Sequence, residues 1–309
     1  MKKGKKLIAI ITSMIMIMST ITGCGKNRMM FGTGGSAGTY YSYGGVVAQY
    51  ITNHAGVKVT AVSSGGSKAN IQSIQDGDFQ LGFTQSDVMA YAWDGTKSFE
   101  KDGGTHDFRV LGGLYAETVQ IITMDKNIQS VEDLRGKSVS IGEAGSGVYF
   151  NAIDVLEAAG ITLDDIKPQY QSFEASKEAL KDGMIQAAFI VAGAPTTAIN
   201  VDGEFRDKIL ASCPYYAPLQ IPADTYPGQT EPVETITVKA TVIVSANLDE
   251  DTVYNMTAAI FDNADAIAVE NAKGKELSLE NATEGMAAPF HKGAARYYAE
   301  HGIIVNTEE

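Results

Sequence analysis

Cysteine is nearly missing from this chain of 309 residues, which has only Cys24 and Cys213. Two thiols are too few for a cysteine-rich metal site. The four histidines, His54, His106, His291 and His301, are far apart and have no paired spacing, so no histidine metal site is expected either. Acids are absent from Met1 to Gln75, the first being Asp76. The apolar run from Leu7 to Ile17 is too short for a comfortable membrane-spanning helix. Positive charge is scarce: 24 Lys and Arg stand against 37 Asp and Glu, for a formal charge of −13. Such a surface argues against nucleic acid and anionic lipid as partners. An anionic ligand must then be held by local dipoles rather than by the overall field.

The N-terminus is arranged as an export leader, with Lys2, Lys3, Lys5 and Lys6, the apolar run, and then Ile21-Thr22-Gly23-Cys24. Small residues before a cysteine form a lipobox. The expectation is a lipoprotein signal peptide over 1–23, a lipidated Cys24 and a linker over 24–28. Removing the leader takes away four lysines and no acid, so the mature chain is more acidic still. Lipidation uses Cys24, and the one remaining thiol, Cys213, leaves no internal disulfide. Cys213, beside Pro214, reads as a small core or loop residue. One acylated cysteine holds a protein on the membrane, not in it, which makes the localisation extracytoplasmic and lipid-anchored.

Glycine is plentiful, and its placement organises the chain. Met29–Tyr43, MMFGTGGSAGTYYSY, runs from a short apolar strand through Gly32, Gly34, Gly35 and Gly38 into a helix with Tyr43, Val46, Val47, Tyr50 and Ile51 at helical spacing. Such a turn directs free N–H groups and the positive end of a helix dipole at one spot, which suits an anion. The device recurs where strand Ser138–Ile141 enters Gly142-Glu143-Ala144-Gly145-Ser146-Gly147 and another helix. Between and after these turns, strands alternate with helices. Val57–Val62 leads to Ser63–Ser67, with Ser67 able to cap a helix, and Phe79–Phe83 leads to Thr84–Asp87, with Asp87 able to cap the next. Two strands are expected at Arg109–Leu114 and Val119–Met124, and a capping box at Ser130–Asp133. Further on come a helix over Glu174–Asp182, a strand over Gln186–Val191 and the loop Ala192–Thr196. A β-branched strand over Thr235–Ser245 precedes a helix from about Asp249 to Val269 and a last helix near Ala294–Ala299. The pattern indicates α/β layering with mainly parallel sheets, and ligands bind such sheets at the strands' carboxyl ends. Two glycine turns, each opening its own series, suggest two lobes facing one cleft.

Catalytic readings of the first turn are weak. Gly32–Ala37 fits G-x-G-x-x-A, but no acid follows at the end of the second strand, so a nicotinamide or flavin is not expected, nor any other cofactor. Gly34-Gly35-Ser36-Ala37-Gly38 fits the nucleophile elbow, yet no histidine falls in a strand-end loop. No G-K-[ST] loop occurs, since Gly66-Ser67-Lys68 has the wrong order. Tyr40 or Tyr41 at the helix start could touch a ligand, whereas Tyr43 shares a face with Val46, Val47 and Tyr50 and reads as core. Gln85 stands at a strand end, as ligand contact or as a turn-satisfying amide. Glu117 could select an amine or be an exposed turn charge.

The segments GTGGSAGTYYSYGG, VSSGGSKANIQSIQDGDFQLGFTQSDV, LGGLYAETVQI, VEDLRGKSVSIGEAGSGV, AAFIVAGAPTTAI, IPADTYPGQ and HKGAARYY, in this order over about 29–302, resemble the solute receptor subunit of TAXI-type TRAP transporters. The resemblance implies a type II periplasmic-binding-protein fold of two α/β lobes, lobe 1 over 29–121 plus 243–309 and lobe 2 over 122–242. It implies a monomer that binds a carboxylate such as glutamate, glutamine or 2-oxoglutarate, does no chemistry, and delivers it to a sodium-coupled permease. Carried over by position, the cleft residues are Gly35, Ser36, Tyr40, Ser64, Gly65, Ser67, Gln85, Ser86 and Tyr115 on one side. On the other they are Ser146, Gly147, Val148, Ala194, Pro195, Thr196 and Tyr226. Receptors of the larger sister family clamp carboxylate with an arginine, and no arginine here falls in a cleft loop. A serine hydrolase using Ser36 and a ligand sensor for a receptor kinase are the alternatives.

Overall fold

The computed structural model describes residues 28–101, 103–191, 197–226 and 229–308. The leader, Cys24 and the loop 192–196 lie outside them, and with that loop the expectations on Ala194, Pro195 and Thr196. Ten strands form one sheet among the described residues. They are β1 (Arg28–Gly32), β2 (Lys58–Val62), β3 (Leu81–Gln85), β4 (Phe108–Thr123), β5 (Ser138–Ser140), β6 (Lys167–Gln169), β7 (Ala187–Ile190), β8 (Thr197–Ala198), β9 (Ala217–Ile221) and β10 (Val233–Ser245). Their order is β2-β1-β3-β10-β4-β7-β5-β6, with β8 beside β4 and β9 beside β10. The helices that bear on the site are α1 (Thr39–His54), α2 (Ser67–Gln75), α3 (Ser86–Asp94), α4 (Gly147–Ala158) and α5 (Phe173–Lys181). The others are α6 (Gly203–Ser212), α7 (Glu250–Phe261), α8 (Ala264–Glu270), α9 (Leu279–Thr283) and α10 (Lys292–Glu300). None of these is long and apolar enough to cross a membrane.

The mainly parallel expectation holds at the two flanks and fails at the centre. β2-β1-β3 and β7-β5-β6 are parallel, but β10 runs antiparallel to β3 and β4, and β4 antiparallel to β7. Strand β10 returns from late in the chain and inserts between β3 and β4, which joins the lobes through a central antiparallel pair. Of the two strands expected around 109–124, the structure makes one. The polar Ala116-Glu117-Thr118 reads as a turn, yet these residues pair with Lys239, Val238 and Thr237 of β10 without a break. A ladder is built from backbone groups, so a charged side chain does not interrupt it. Strand β4 pairs with β10 up to Val119 and with β7 from Gln120, passing from one lobe to the other in that step.

Helix α1 packs its buried face, Tyr43, Gly44, Val47, Ala48 and Ile51, on Phe31 and Phe83 of the sheet. Gly44 is needed there, because a Cβ would lie 2.6 Å from Thr33 Cγ2 and 3.2 Å from Phe83 Cε2. The single helix expected over 249–269 is two, α7 and α8. Asn263 folds back to donate to the Ala259 carbonyl, 2.9 Å away, just past the end of α7. The Ser130–Asp133 capping box forms as read. Neither Ser67 nor Asp87 is a cap: the caps are Gly66 and Gln85, and both expected cap residues turn inward instead. Ser67 Oγ accepts the Gln85 backbone N–H at 3.2 Å.

Candidate functional site

A cavity of about 300 Å³ opens between the lobes, where the flanking strands end. The first lobe supplies the β1–α1 turn Gly34–Tyr40, then Ser63, Gly65 and Gly66 before α2, Gln85 at the end of β3, and Tyr115 and Glu117 from β4. Facing them are Glu143, Ser146, Gly147 and Val148 at the start of α4, Gln171–Glu174 at the start of α5, and Val191 after β7. Both glycine turns therefore border one space. Helices α1 and α2 begin after Gly38 and Gly66 with no side-chain cap. In α2 the Lys68 N–H is taken by the Gly145 carbonyl of the facing turn at 3.0 Å, and the N–H groups of the first turn of α1 are left for an occupant. In the other lobe Ser146 and Ser172 cap α4 and α5, accepting from Tyr149 N and Ala175 N.

Nine of the sequence-derived residues line the cavity: Gly35, Ser36, Tyr40, Gly65, Gln85, Tyr115, Ser146, Gly147 and Val148. Ser64, Ser67, Ser86 and Tyr226 do not. Ser64 Oγ donates to Asn70 Oδ1 at 2.6 Å, and Ser86 Oγ accepts from Lys239 N at 3.2 Å, so these hydroxyls brace the loops behind the wall. Tyr40 stacks on Phe83 with centroids 4.6 Å apart and Tyr43 is core, while Tyr41 is exposed. Sequence reasoning left out Glu143 and the Gln171–Glu174 segment. Both follow the strand-end rule, Glu143 inside a glycine turn already singled out and Gln171 two residues beyond β6.

Glu117 is the largest departure. It is 4% exposed, and burial pushes its carboxyl up to about 7, against the Gln85 hydrogen bond, Tyr40 and the Lys273 charge, which pull it down. Gln85 Nε2 donates to Glu117 Oε2 at 2.5 Å. By hydrogen-bond geometry Glu117 Oε1, Gln85 Oε1 and the hydroxyls of Tyr40 and Tyr115 are buried without a partner among the described residues, the Tyr40 hydroxyl standing near enough to Glu117 to hold its carboxyl down. Burial pushes the pKa of both tyrosines well above the usual value, so both phenols stay neutral. Behind the cavity, Lys273 lies 5.0 Å over the Tyr115 ring and is tied to Ala116 O and Glu276. Among the described residues no histidine borders the space, so Ser36 lacks the imidazole partner of a nucleophile elbow. Among the described residues no group of His, Cys, Asp and Glu is placed to hold a metal.

Beside the cavity the lobes are joined by a buried polar chain. Gln85 Nε2 also donates to Asn151 Oδ1 of α4, and Asn151 Nδ2 donates to Asp87 Oδ2 and to Tyr216 Oη. The Tyr216 hydroxyl lies 3.2 Å from Asp87 Oδ2 and 3.0 Å from Asp154 Oδ2, and Tyr91 Oη donates to Asp154 as well. Burial first, then the neighbouring Asp154, pushes Asp87 up to about 8. At the outer end Lys97 reaches Asp154 at 3.2 Å and Glu157 at 2.8 Å. Cys213 is buried here beside Tyr91, a core position as read from the sequence.

Two α/β lobes sharing a central antiparallel strand pair, with helix starts converging on the cleft between, define a periplasmic-binding-protein fold. The chain belongs to the NMT1-like family, whose model matches residues 31–302. Among solved structures it is similar to a protein of Bordetella bronchiseptica RB50, at 15% identity and a TM-score of 0.56 over 89% of each chain. It is similar to the binding protein component of an ABC phosphonate transporter from Pseudomonas aeruginosa, at 12% identity and a TM-score of 0.52 over 81% of this chain and 79% of that one. The periplasmic aliphatic sulphonate binding protein of Escherichia coli matches at 16% identity and a TM-score of 0.43, over 82% and 80%. Identities this low speak for the fold alone.

Proposed function

We propose that this protein is an extracytoplasmic solute receptor, anchored by a lipid on Cys24, that captures a small carboxylate and hands it to a TRAP-type permease of the TAXI kind. Its lobes span 29–121 plus 243–309 and 122–242 and hinge on β4 and β10. The observation that carries this reading is the pair of uncapped helix starts, after Gly38 and Gly66, opening on a cavity of about 300 Å³ enclosed by a second lobe. Free N–H groups at helix N-termini hold a carboxylate without any arginine. Closure around it excludes water, which strengthens each hydrogen bond to the solute. Ligand then acts by population shift, favouring the closed form that a permease recognises. The sequence resemblance supports the transporter type, and Ser146, Gly147 and Val148 supply the opposing wall.

Native mass spectrometry of the purified protein, followed by a thermal-shift screen of carboxylates and amino acids, tests the reading. One or two compounds should be retained and raise Tm. No retained solute and no shift with any small acid defeats it. Uptake by its permease in vesicles then decides the coupling: a sodium gradient drives a TRAP system, whereas dependence on ATP assigns the receptor to another transporter type.

A further inference from the structure

The cavity lining holds three carboxylates, Glu117, Glu143 and Glu174, and no Lys, Arg or His. Loop 192–196, Ala-Gly-Ala-Pro-Thr, has no ionisable side chain to offset them. Glu143 and Glu174 are exposed at the mouth, but Glu117 is buried in the middle of β4. One of its oxygens is occupied by Gln85, while Oε1 has no partner among the described residues, and neither has Gln85 Oε1. Gln85 Oε1 only accepts hydrogen bonds, and so does Glu117 Oε1 once the carboxyl is ionised. The Tyr40 and Tyr115 hydroxyls, likewise without partners, border the same floor. Polar atoms left open in this way cost free energy unless an occupant satisfies them, and two acceptors beside a carboxylate call for a cationic donor.

Resting on the receptor reading above, we infer that Glu117 is an ammonium subsite: the solute carries a protonated primary amine that donates to Glu117 Oε1 and Gln85 Oε1. The solute is then an α-amino acid with its carboxylate at the helix starts. A dicarboxylate without an amine, such as a 2-oxo diacid, meets like charge on this floor. Glu117 acts as the specificity residue and Gln85 as its positioning partner. The groups facing Glu117 are Tyr40 from α1, Gln85 from β3, Asp87 at the start of α3, Tyr115 on its own strand and Lys273 from the 3₁₀ turn Ala272–Glu276. Of these, Lys273 is held by Glu276 and Ala116 on the far side of the Tyr115 ring.

The experiment is calorimetric titration of the protein with glutamine, glutamate, leucine and arginine, each beside its 2-oxo acid, at pH 6 and pH 8. For the amino acid that binds best, its 2-oxo partner should bind about ten- to a hundredfold more weakly at pH 8, the loss expected for one charged hydrogen-bonded contact. The preference should shrink at pH 6, where a proton on Glu117 competes with the ammonium. Glu117→Gln should bring the pair to within about threefold, while Glu178→Gln, on an exposed helix face away from the cavity, leaves the preference in place. Should Glu117→Gln fail to fold, the pH dependence of the natural chain serves the same purpose. A 2-oxo acid that binds as well as its amino acid, or binds better at pH 6 through a protonated Glu117, overturns the ammonium subsite and leaves the receptor reading standing. A chain that binds no member of either series loses both.

Discussion

Gln85 and Asn151 stand on opposite lobes, and the side-chain amide of Gln85 donates to that of Asn151 across 3.1 Å. The same Gln85 nitrogen holds Glu117, so one amide connects the cavity floor to the buried chain between the lobes. Replacing Asn151 by Ala removes partners from Gln85, Asp87 and Tyr216 in a site that water does not reach. Thermal unfolding should show a loss of about 1–3 kcal/mol, the cost of orphaned buried polar groups. A loss under about 0.5 kcal/mol means the chain contributes nothing to holding the lobes together.

Gly147 packs directly against the Gln85 side chain. A Cβ on it would lie 2.4 Å from Gln85 Cδ and 2.5 Å from its Oε1. Gln85 cannot swing aside, because Glu117 and Asn151 both grip its nitrogen. Gly147→Ala should therefore prop the lobes apart. Small-angle scattering should report a larger radius of gyration with ligand present, and affinity should fall by at least about tenfold, the penalty for a rarely populated closed state. Unchanged affinity counts against a closed form with this geometry.

Ser36 lines the cavity from an exposed turn, with no histidine beside it among the described residues. Ser36→Ala should weaken solute binding about two- to tenfold, the worth of one neutral hydrogen bond, with stability unchanged. Hydrolysis of a model ester that the natural chain performs and Ser36→Ala abolishes points instead to the nucleophile elbow.

Two buried carboxyls should govern the pH dependence of stability without ligand. Asp87 is raised to about 8 and Glu117 to about 7, both chiefly by burial. Each binds its proton more tightly in the folded chain than in the unfolded one. Their contribution is complete below the ordinary carboxyl range near 4 and is lost as pH rises through 7 and 8. Denaturant midpoints should be higher at pH 5.5 than at pH 8.5, and Asp87→Asn should reduce the difference. A midpoint that rises with pH over this interval contradicts the assignment.

Much of the cleft was legible because its signals are local. A glycine turn between a strand and a helix announces itself in consecutive residues, and both such turns border the cavity. The burial of Glu117 was not legible, and the choice between an amine-selecting group and an exposed turn charge stayed open, since a carboxylate between Ala116 and Thr118 has the composition of a turn. Only its pairing with Val238, from far along the chain, makes it a central strand residue. Asp87 shows the same limit. Its position at a helix start fits a cap, but Asn151 and Tyr216, both distant in sequence, draw it into the interface. Strand β10 was readable as a strand from its β-branched run. Its insertion between β3 and β4 was not, because nothing in a single strand records its neighbours.

Strand β4 carries Tyr115 and Glu117 and crosses into the second lobe directly after Val119. In the receptor proposed above, a solute held by those side chains would pull close to the pivot of a lever. Displacement near a pivot is small and displacement at the far rim is large, so fractions of an ångström on the floor become ångströms at the edges of the lobes.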